Sequence, residues 1–476
     1  MNALRQLLPD AHWGHVSASL LSGDQRRFEA RSYLTDGFGL RRRIESNADG
    51  WTTFSEVASV WQPSRLKGYT VAEGKGLPFL SAGQIFESRP RVRKWLAAPM
   101  VPALETRYLE TDMIMLSCSG EVGRVTAVYE EHLDTVVTHD LLRVVPRDPH
   151  LYGWLYAYMK TRVFFEITRS AQYGHMIKHL EPEHVQAMPV VMPSEKDRAA
   201  VGEQVTNALS LRRRARQLQN EAYSRYAALV NPAGEHPSHE FWQSVPVSRL
   251  ATQRRRFEGQ HVNSEARWLD ELTAQTATHG LSRVGEVTES VRLGARFKRF
   301  FGPTGTPYRS ASELFDVNPP VTKRIFSALL DKPERYMLEP GDLIMACSGQ
   351  TYGLLGRTVI LTEDHQDVFG SHDLIRITPN DQLMRTGYLH TALSHEQLGR
   401  PQVVRHASGT SIPHLDPVDI RTVQIPRFAA IAEDEIADLA EEATKASQEA
   451  DRLESLAIAA AATLVEEAVG VRAESA

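Results

Sequence analysis

Residues 173–185 read YGHMIKHLEPEHV, and residues 408–420 read SGTSIPHLDPVDI. Each has a glycine, an isoleucine three residues later, then His-Leu, an acid, a proline and a β-branched residue. Gly174 corresponds to Gly409, His179 to His414 and Pro182 to Pro417, always 235 positions apart. A self-match at so long an offset points to a duplicated module, not to a short-period solenoid.

The match extends in both directions from these stretches. RRFEA (26–30) answers RRFEG (255–259), and GLPFLSAGQIF (76–86) answers GTPYRSASELF (305–315). DMIMLSCSG (112–120) answers DLIMACSG (342–349), one residue shorter. GRV (123–125) answers GRT (356–358) after an insertion, and THDLLRVVP (138–146) answers SHDLIRITP (371–379). The matches are collinear with small indels, so the chain of 476 residues holds one module of about 230 residues twice.

Bulk properties narrow the class. Hydrophobic residues make up 42%, enough for real cores, and no run of about 18 apolar residues suggests a membrane span. The stretch MNALRQLLPDAHW does not read as a secretory signal, and two cysteines, Cys118 and Cys347, do not make a disulfide framework. The expected setting is a reducing cytoplasm. The net charge of −5 argues against nucleic acid only until it is divided. Residues 431–476 carry twelve acids and three bases, so the other 430 residues sum to +4.

Each copy ends in a helical pattern. The first opens at Ser194 with Asp197 three residues on, an N-cap signal, and repeats apolar residues at Ala208, Leu211, Ala215, Leu218, Ala222 and Leu229. The second spaces Ile436, Leu439, Ala443, Ala446, Ala450, Leu453, Ala457, Ala460 and Leu464 by threes and fours, a heptad seam. Within the modules, VTAVYE, VVTHDLLRVV, RTVILT and HDLIRIT read as strands. GWLYAYMKTRVFFEITRSA and TGYLHTALSHEQLGRPQVV read as helices. The expected class is α+β: head (1–193), long helix (194–232), head (233–428), long helix (429–476). The two helices are expected to pair as an antiparallel coiled coil with pseudo-twofold symmetry. Two similar but non-identical heads held at a fixed separation suit a target with two halves, and DNA half-sites are the obvious case.

The motifs GDLIMACSG (341–349), GR (356–357), SHDLIRITP (371–379), SGTSIPHL (408–415) and VQIP (423–426), with their first-copy counterparts, resemble the specificity subunit of type I restriction-modification systems. The resemblance covers nearly the whole chain, twice. It implies two target-recognition domains, each followed by a long helix, in a subunit without chemistry of its own. That subunit would read double-stranded DNA at a bipartite site and recruit two methyltransferase subunits. S-adenosylmethionine would be held by those partners and not by this chain. In some assemblies a translocating restriction subunit joins. Three other readings stay open: a DNA-recognition adaptor of another anti-phage defence system, a non-catalytic coiled-coil scaffold, and a stand-alone enzyme, against which the lack of a nucleophile, metal or cofactor signature argues.

Candidate DNA contacts are basic and amide residues in loops, because Lys and Arg neutralise phosphate and Arg can bridge two guanine acceptors. In the first copy these are Arg26, Arg27, Arg65, Lys67, Arg89, Arg91, Arg93, Lys94, Gln172, His175 and Lys178. In the second they are Arg255, Arg256, Arg296, Lys298, Arg299, Lys323, Arg324, Arg405, Ser408 and Thr410. Other features read as framework. His139-Asp140 and His372-Asp373 would point to opposite faces if they lay on a strand. Asn318-Pro319-Pro320 lacks the aromatic residue of a base-flipping methyltransferase motif. Gly120/Gly123 and Gly349/Gly353/Gly356 read as tight turns. Cys118 and Cys347 read as small buried hydrophobes.

Overall fold

The structure, a computed structural model, describes residue 18 and residues 30–47, 50–174, 176–237, 244–250 and 258–470. Contacts divide the chain into two compact units, Met1–Leu209 with Asp451–Ala476, and Ser210–Ala450.

The first unit holds β1 (Trp51–Thr53), β2 (Ala58–Trp61), β3 (Thr70–Val71), β4 (Leu77–Leu80), β5 (Lys94–Leu96), β6 (Ile114–Ser117), β7 (Val125–Ala127), β8 (Val136–Val137), β9 (Leu141–Pro146) and β10 (Pro189–Val191). They form an antiparallel sheet ordered β2-β9-β6-β7, a smaller sheet ordered β3-β5-β4-β8, and the pair β1-β10. The second unit holds β11 (Leu281–Arg283), β12 (Thr288–Leu293), β13 (Phe301–Gly302), β14 (Thr306–Arg309), β15 (Arg324–Ile325), β16 (Leu343–Ala346), β17 (Thr358–Ile360), β18 (Phe369–Gly370), β19 (Leu374–Pro379) and β20 (Gln424–Pro426). Its sheets are β12-β19-β16-β17, β13-β15-β14-β18 and β11-β20. The duplication seen in the sequence is therefore a duplication of strand order. In both small sheets only one pairing is parallel, β4 with β8 and β14 with β18.

The central strands explain why the repeated motif is apolar without alternation. Successive side chains on a strand face opposite sides, so a strand with two covered faces reads as a continuous apolar run. Ile114 and Leu116 enter one core and Met115 another. In the second unit Leu343 and Met345 enter one core, Ile344 and Ala346 another.

Each stretch expected as one helix near a head's end is two. Tyr152–Met159 is followed by Arg162–Ala171, and Thr161 breaks the run by accepting a hydrogen bond from the Phe164 amide at 3.3 Å. Thr386–Ser394 is followed by Arg400–Val404, with the ring Nδ1 of His395 accepting from the amides of Gln397 and Leu398. The first helix of each pair is buried on all sides apart from Tyr152. In the second of them the buried polar groups are paired: Thr391 Oγ1 donates to the Gly387 carbonyl, Ser394 Oγ to the His390 carbonyl, and His390 Nδ1 lies 3.0 Å from Thr358 Oγ1. Trp154 Nε1 donates to the Val191 carbonyl, and Tyr388 Oη donates to the Pro426 carbonyl. These are corresponding atoms at the ends of β10 and β20.

The long helices run Glu195–Val230 and Ala430–Val469. Ser194 caps the first as its spacing implied, accepting from the Asp197 amide at 3.2 Å. Within the first unit Val201, Val205 and Leu209 share a core with Ala457, Ala461 and Val465. Within the second, Ala222, Tyr226 and Val230 share one with Ile436, Ala437 and Ala440. Of the seam read from the second helix, Ile436, Ala443, Ala450 and Ala457 are buried, but Leu439, Ala446, Leu453, Ala460 and Leu464 are half-buried. The buried line runs instead through Ala440, Glu454, Ala461, Val465 and Val469. Glu454 takes a fully buried place, where Tyr156 Oη and Lys160 Nζ donate to it. Among the described residues, no helix is long and apolar enough to cross a membrane.

Gly153 and Gly387 sit at matching places in the two buried helices. A Cβ at Gly153 would lie 2.5 Å from Cα of Gly202 on the first long helix, and one at Gly387 2.4 Å from the Ala437 carbonyl oxygen on the second. Gly153→Ala and Gly387→Ala are each expected to destabilise their own unit by about 1–3 kcal/mol through overpacking, read by denaturant unfolding. Unchanged unfolding midpoints would contradict this packing.

Candidate nucleic-acid interface

The repeated Gly…His-Leu stretch is a closed loop in both heads. Tyr173 and His179 exchange both backbone hydrogen bonds, at 3.0 and 2.9 Å, and so do Ser408 and His414, at 2.9 and 2.8 Å. The loop is then fastened to the end of the central strand. Leu180 N donates to Cys118 O and Leu415 N to Cys347 O, both at 2.9 Å. Ser119 Oγ lies 2.9 Å from His179 Nδ1, and Ser348 Oγ 2.8 Å from His414 Nδ1. Gly174 and Gly409 turn the loop at φ of 96° and 101°, a region that favours glycine. At Gly174 a Cβ would also meet the Ile177 carbonyl at 2.3 Å.

Beside each loop lies the His-Asp bend. The expectation that His and Asp diverge assumed a strand, but β9 begins at Leu141 and β19 at Leu374. The residues before them form a side-chain turn. The Asp140 amide donates to Thr138 Oγ1 at 3.3 Å, and the Asp373 amide donates to Ser371 Oγ at 3.2 Å. His139 Nε2 and Asp140 Oδ1 are consequently 3.7 Å apart, and His372 Nε2 and Asp373 Oδ2 3.5 Å. Burial lowers both histidine pKa values against the opposing pull of Asp140 and Asp373, and neighbouring arginines add to the lowering. Asp373 also accepts from Ser348 Oγ at 3.2 Å, which ties the bend to the loop.

The basic segments come next. RLKGY (65–69) and RFKRF (296–300) are pinned by their second residue. The Leu66 amide donates to His139 Nδ1 at 3.3 Å, and the Phe297 ring packs 5.1 Å from the His372 ring and 4.6 Å from Tyr336. With that residue held against the bend, Arg65, Lys67, Arg296, Lys298 and Arg299 are left exposed. Arg299 Nη2 reaches Asp373 Oδ2 at 3.3 Å, and the Lys298 ammonium lies 5.2 Å from the Phe300 ring. Each head thus carries exposed cations beside a His-Asp bend and a closed loop, and those cations suit an anionic backbone.

The other candidates are placed as follows. Lys94 and Lys323 correspond in register: Phe79 pairs with Lys94, and Tyr308 N donates to Lys323 O. The stretches 89–94 and 318–323 are therefore the same segment of the fold, leading into β5 and β15. Lys94, Lys323 and Arg324 are exposed, while Arg89, Arg91 and Arg93 are half-buried, Arg93 pairing with Glu87. Arg324 donates to the Gly305 carbonyl at 3.1 Å, and Lys323 is 4.0 Å from Glu313. Gln172 closes helix Arg162–Ala171, and Lys178 folds back onto the Gly174 carbonyl. Arg405 turns inward, donating to both Asp270 oxygens at 2.7 and 3.2 Å and to the His261 carbonyl at 2.7 Å. It joins two helices of the head and does not face the loop surface. Ser408 and Thr410 are exposed on the loop. Arg26, Arg27, His175, Arg255 and Arg256 lie outside the described residues, as does most of the RRFEA/RRFEG match.

Two residues escaped the sequence reading. Arg143 and Arg376 are buried in β9 and β19, and their guanidinium groups bond to carbonyls around the bend. Arg143 reaches Thr138 O at 3.0 Å and Leu141 O at 2.6 Å; Arg376 reaches Tyr336 O at 3.0 Å and Leu374 O at 3.2 Å. Burial lowers both to about 10, still charged at neutral pH. The signal was an arginine at the same place in two apolar strands, DLLRVVP and DLIRITP. Cys118 and Cys347 are free and buried, and burial pushes their thiols up to about 12 and about 11, far from a reactive range. Asn318 stands in a loop at φ 35°. Among the described residues no group of His, Cys, Asp and Glu is placed to hold a metal ion.

His179→Ala and His414→Ala are each expected to cost about 1 kcal/mol, the usual worth of one intramolecular hydrogen bond. Amide exchange should quicken in the loop of the altered head alone. Equal exchange in both loops would show that the Ser-His bond does not hold them.

No family model and no curated protein matches the chain. It is similar to solved structures along most of its length. One is a type I restriction-modification system S subunit from M. genitalium, with 14% identity, 90% of this chain and 98% of that chain covered, and a TM-score of 0.36. Another is the HsdS subunit from Thermoanaerobacter tengcongensis, with 12% identity, 89% and 97% covered, and a TM-score of 0.26. A third belongs to a study of complex assembly and conformational transition of the type I R-M system, with 14% identity, 90% and 100% covered, and a TM-score of 0.27. With TM-scores below 0.5, these likenesses say nothing by themselves about what this chain does.

Proposed function

We propose that this chain is the sequence-specific DNA-binding subunit of a type I-like restriction-modification or adenine-methyltransferase complex. The observation that carries the reading is the surface built twice: closed loop, His-Asp bend and exposed basic segment, on the same strand order, with different side chains in each head. One head would read each half of a bipartite site. In this reading the two long helices pair antiparallel with pseudo-twofold symmetry. The sharing of cores supports it, since the start of one helix meets the end of the other in one unit and the reverse holds in the second. The heads and helices would dock two methyltransferase subunits. Those partners would hold S-adenosylmethionine and transfer the methyl group, and a translocating restriction subunit would join in some assemblies. The compartment would be the cytoplasm.

Duplex binding by the purified chain should weaken linearly as log salt rises. Arg296→Ala and Arg299→Ala should each lower affinity and reduce the slope by about one. Binding without salt dependence would point to a protein scaffold. Co-purification with an adenine methyltransferase separates the proposal from a DNA-recognition adaptor of another anti-phage system.

A further inference from the structure

Between the two closed loops, residues 173–179 and 408–414, only three of seven positions are the same: glycine, isoleucine and histidine. The others have changed freely, Tyr to Ser, His to Thr, Met to Ser and Lys to Pro. Two of the three retained residues have a structural reason. The glycines adopt positive φ, and the histidines bond Ser119 and Ser348. The isoleucines have none. Ile177 is 60% exposed and Ile412 57% exposed, and neither belongs to a core cluster. A single exposed isoleucine is ordinary. The same one kept at the tip of both loops, while its neighbours diverge, needs something outside the chain to touch.

We propose that Ile177 and Ile412 are apolar base-reading contacts, each packing against the C5-methyl of a thymine in the major groove of its half-site. This rests on the DNA-binding reading above. Three observations favour a base edge over a protein surface. The loop is a narrow two-stranded turn closed by an antiparallel pair, a shape the major groove admits. In the second head its base is joined through Ser348 and Asp373 to Arg299, which sets a cation suited to phosphate beside the loop. Ser408 and Thr410 place exposed hydroxyls beside Ile412, the polar partners that base edges require. The thymine methyl is the one apolar feature of the major-groove edge.

The test uses the full-length chain. Wild-type protein selects duplexes from a randomised library, and the enriched duplex is remade with each thymine replaced in turn by uracil, which removes only the methyl group. Wild type should lose affinity roughly fivefold at one uracil position in each half-site. Ile177→Ser should abolish that sensitivity in one half-site only, and Ile412→Ser in the other only, while Ile412→Val keeps it. The side chains are exposed, so unfolding midpoints should not move. Uracil effects that persist in both serine variants would overturn the inference. So would serine variants that bind every duplex as wild type does yet no longer retain a methyltransferase, since the tips would then face protein. If wild-type chain enriches no duplex at all, the DNA-binding reading itself fails, a result distinct from either of these.

Discussion

A strand with apolar side chains on both faces must be covered on both, and in each head a run of four buried residues imposes that demand (Ile114–Ser117 and Leu343–Ala346). Packing on one face brings in the fully buried helices and, through Gly153 and Gly387, the long helices. The opposite face is covered by the second core of each head. Where the strand leaves these layers, at Cys118-Ser119 and Cys347-Ser348, its backbone and hydroxyl pick up the closed loop. The rigid core and the exposed surface meet at that point. The loop cannot shift without breaking bonds to a strand that is itself immobile, and a recognition surface needs that kind of support.

The two heads share what the frame requires and differ where it does not. Arg143 and Arg376 make the division clear. Each hides a charge beneath the bend, bonded to carbonyls, and so fixes backbone that the exposed Arg65, Arg296 and Arg299 then surround. Leu66 and Phe297 differ in shape yet do the same work, holding a basic segment against His139 or His372. A frame of this kind allows surface side chains to diverge without loss of fold. Two such surfaces in one chain fit a target whose two halves differ.

Much of this was legible in the sequence because duplication is self-verifying: an apolar strand and a Gly…His-Leu turn, each read once, were each supported by a second copy. What escaped depends on contacts distant in sequence. The inward turn of Arg405 is set by Asp270, 135 residues away. The bend at Thr138–Asp140 looked like strand because its apolar neighbours did, and only the side-chain turn breaks it. The equivalence of 89–94 with 318–323 is invisible by residue type and appears only in strand register. The buried line of the second long helix includes Glu454, a carboxylate that no apolar periodicity would place inside.

The central claim is that the chain directs adenine methylation to a site of two halves, one per head. Methylation-sensitive sequencing of the source cell's DNA, with and without this gene, tests it most directly. The account predicts that adenine methylation disappears at a single split motif when the gene is removed and returns when it is restored. A methylome unchanged by the gene's removal would contradict it.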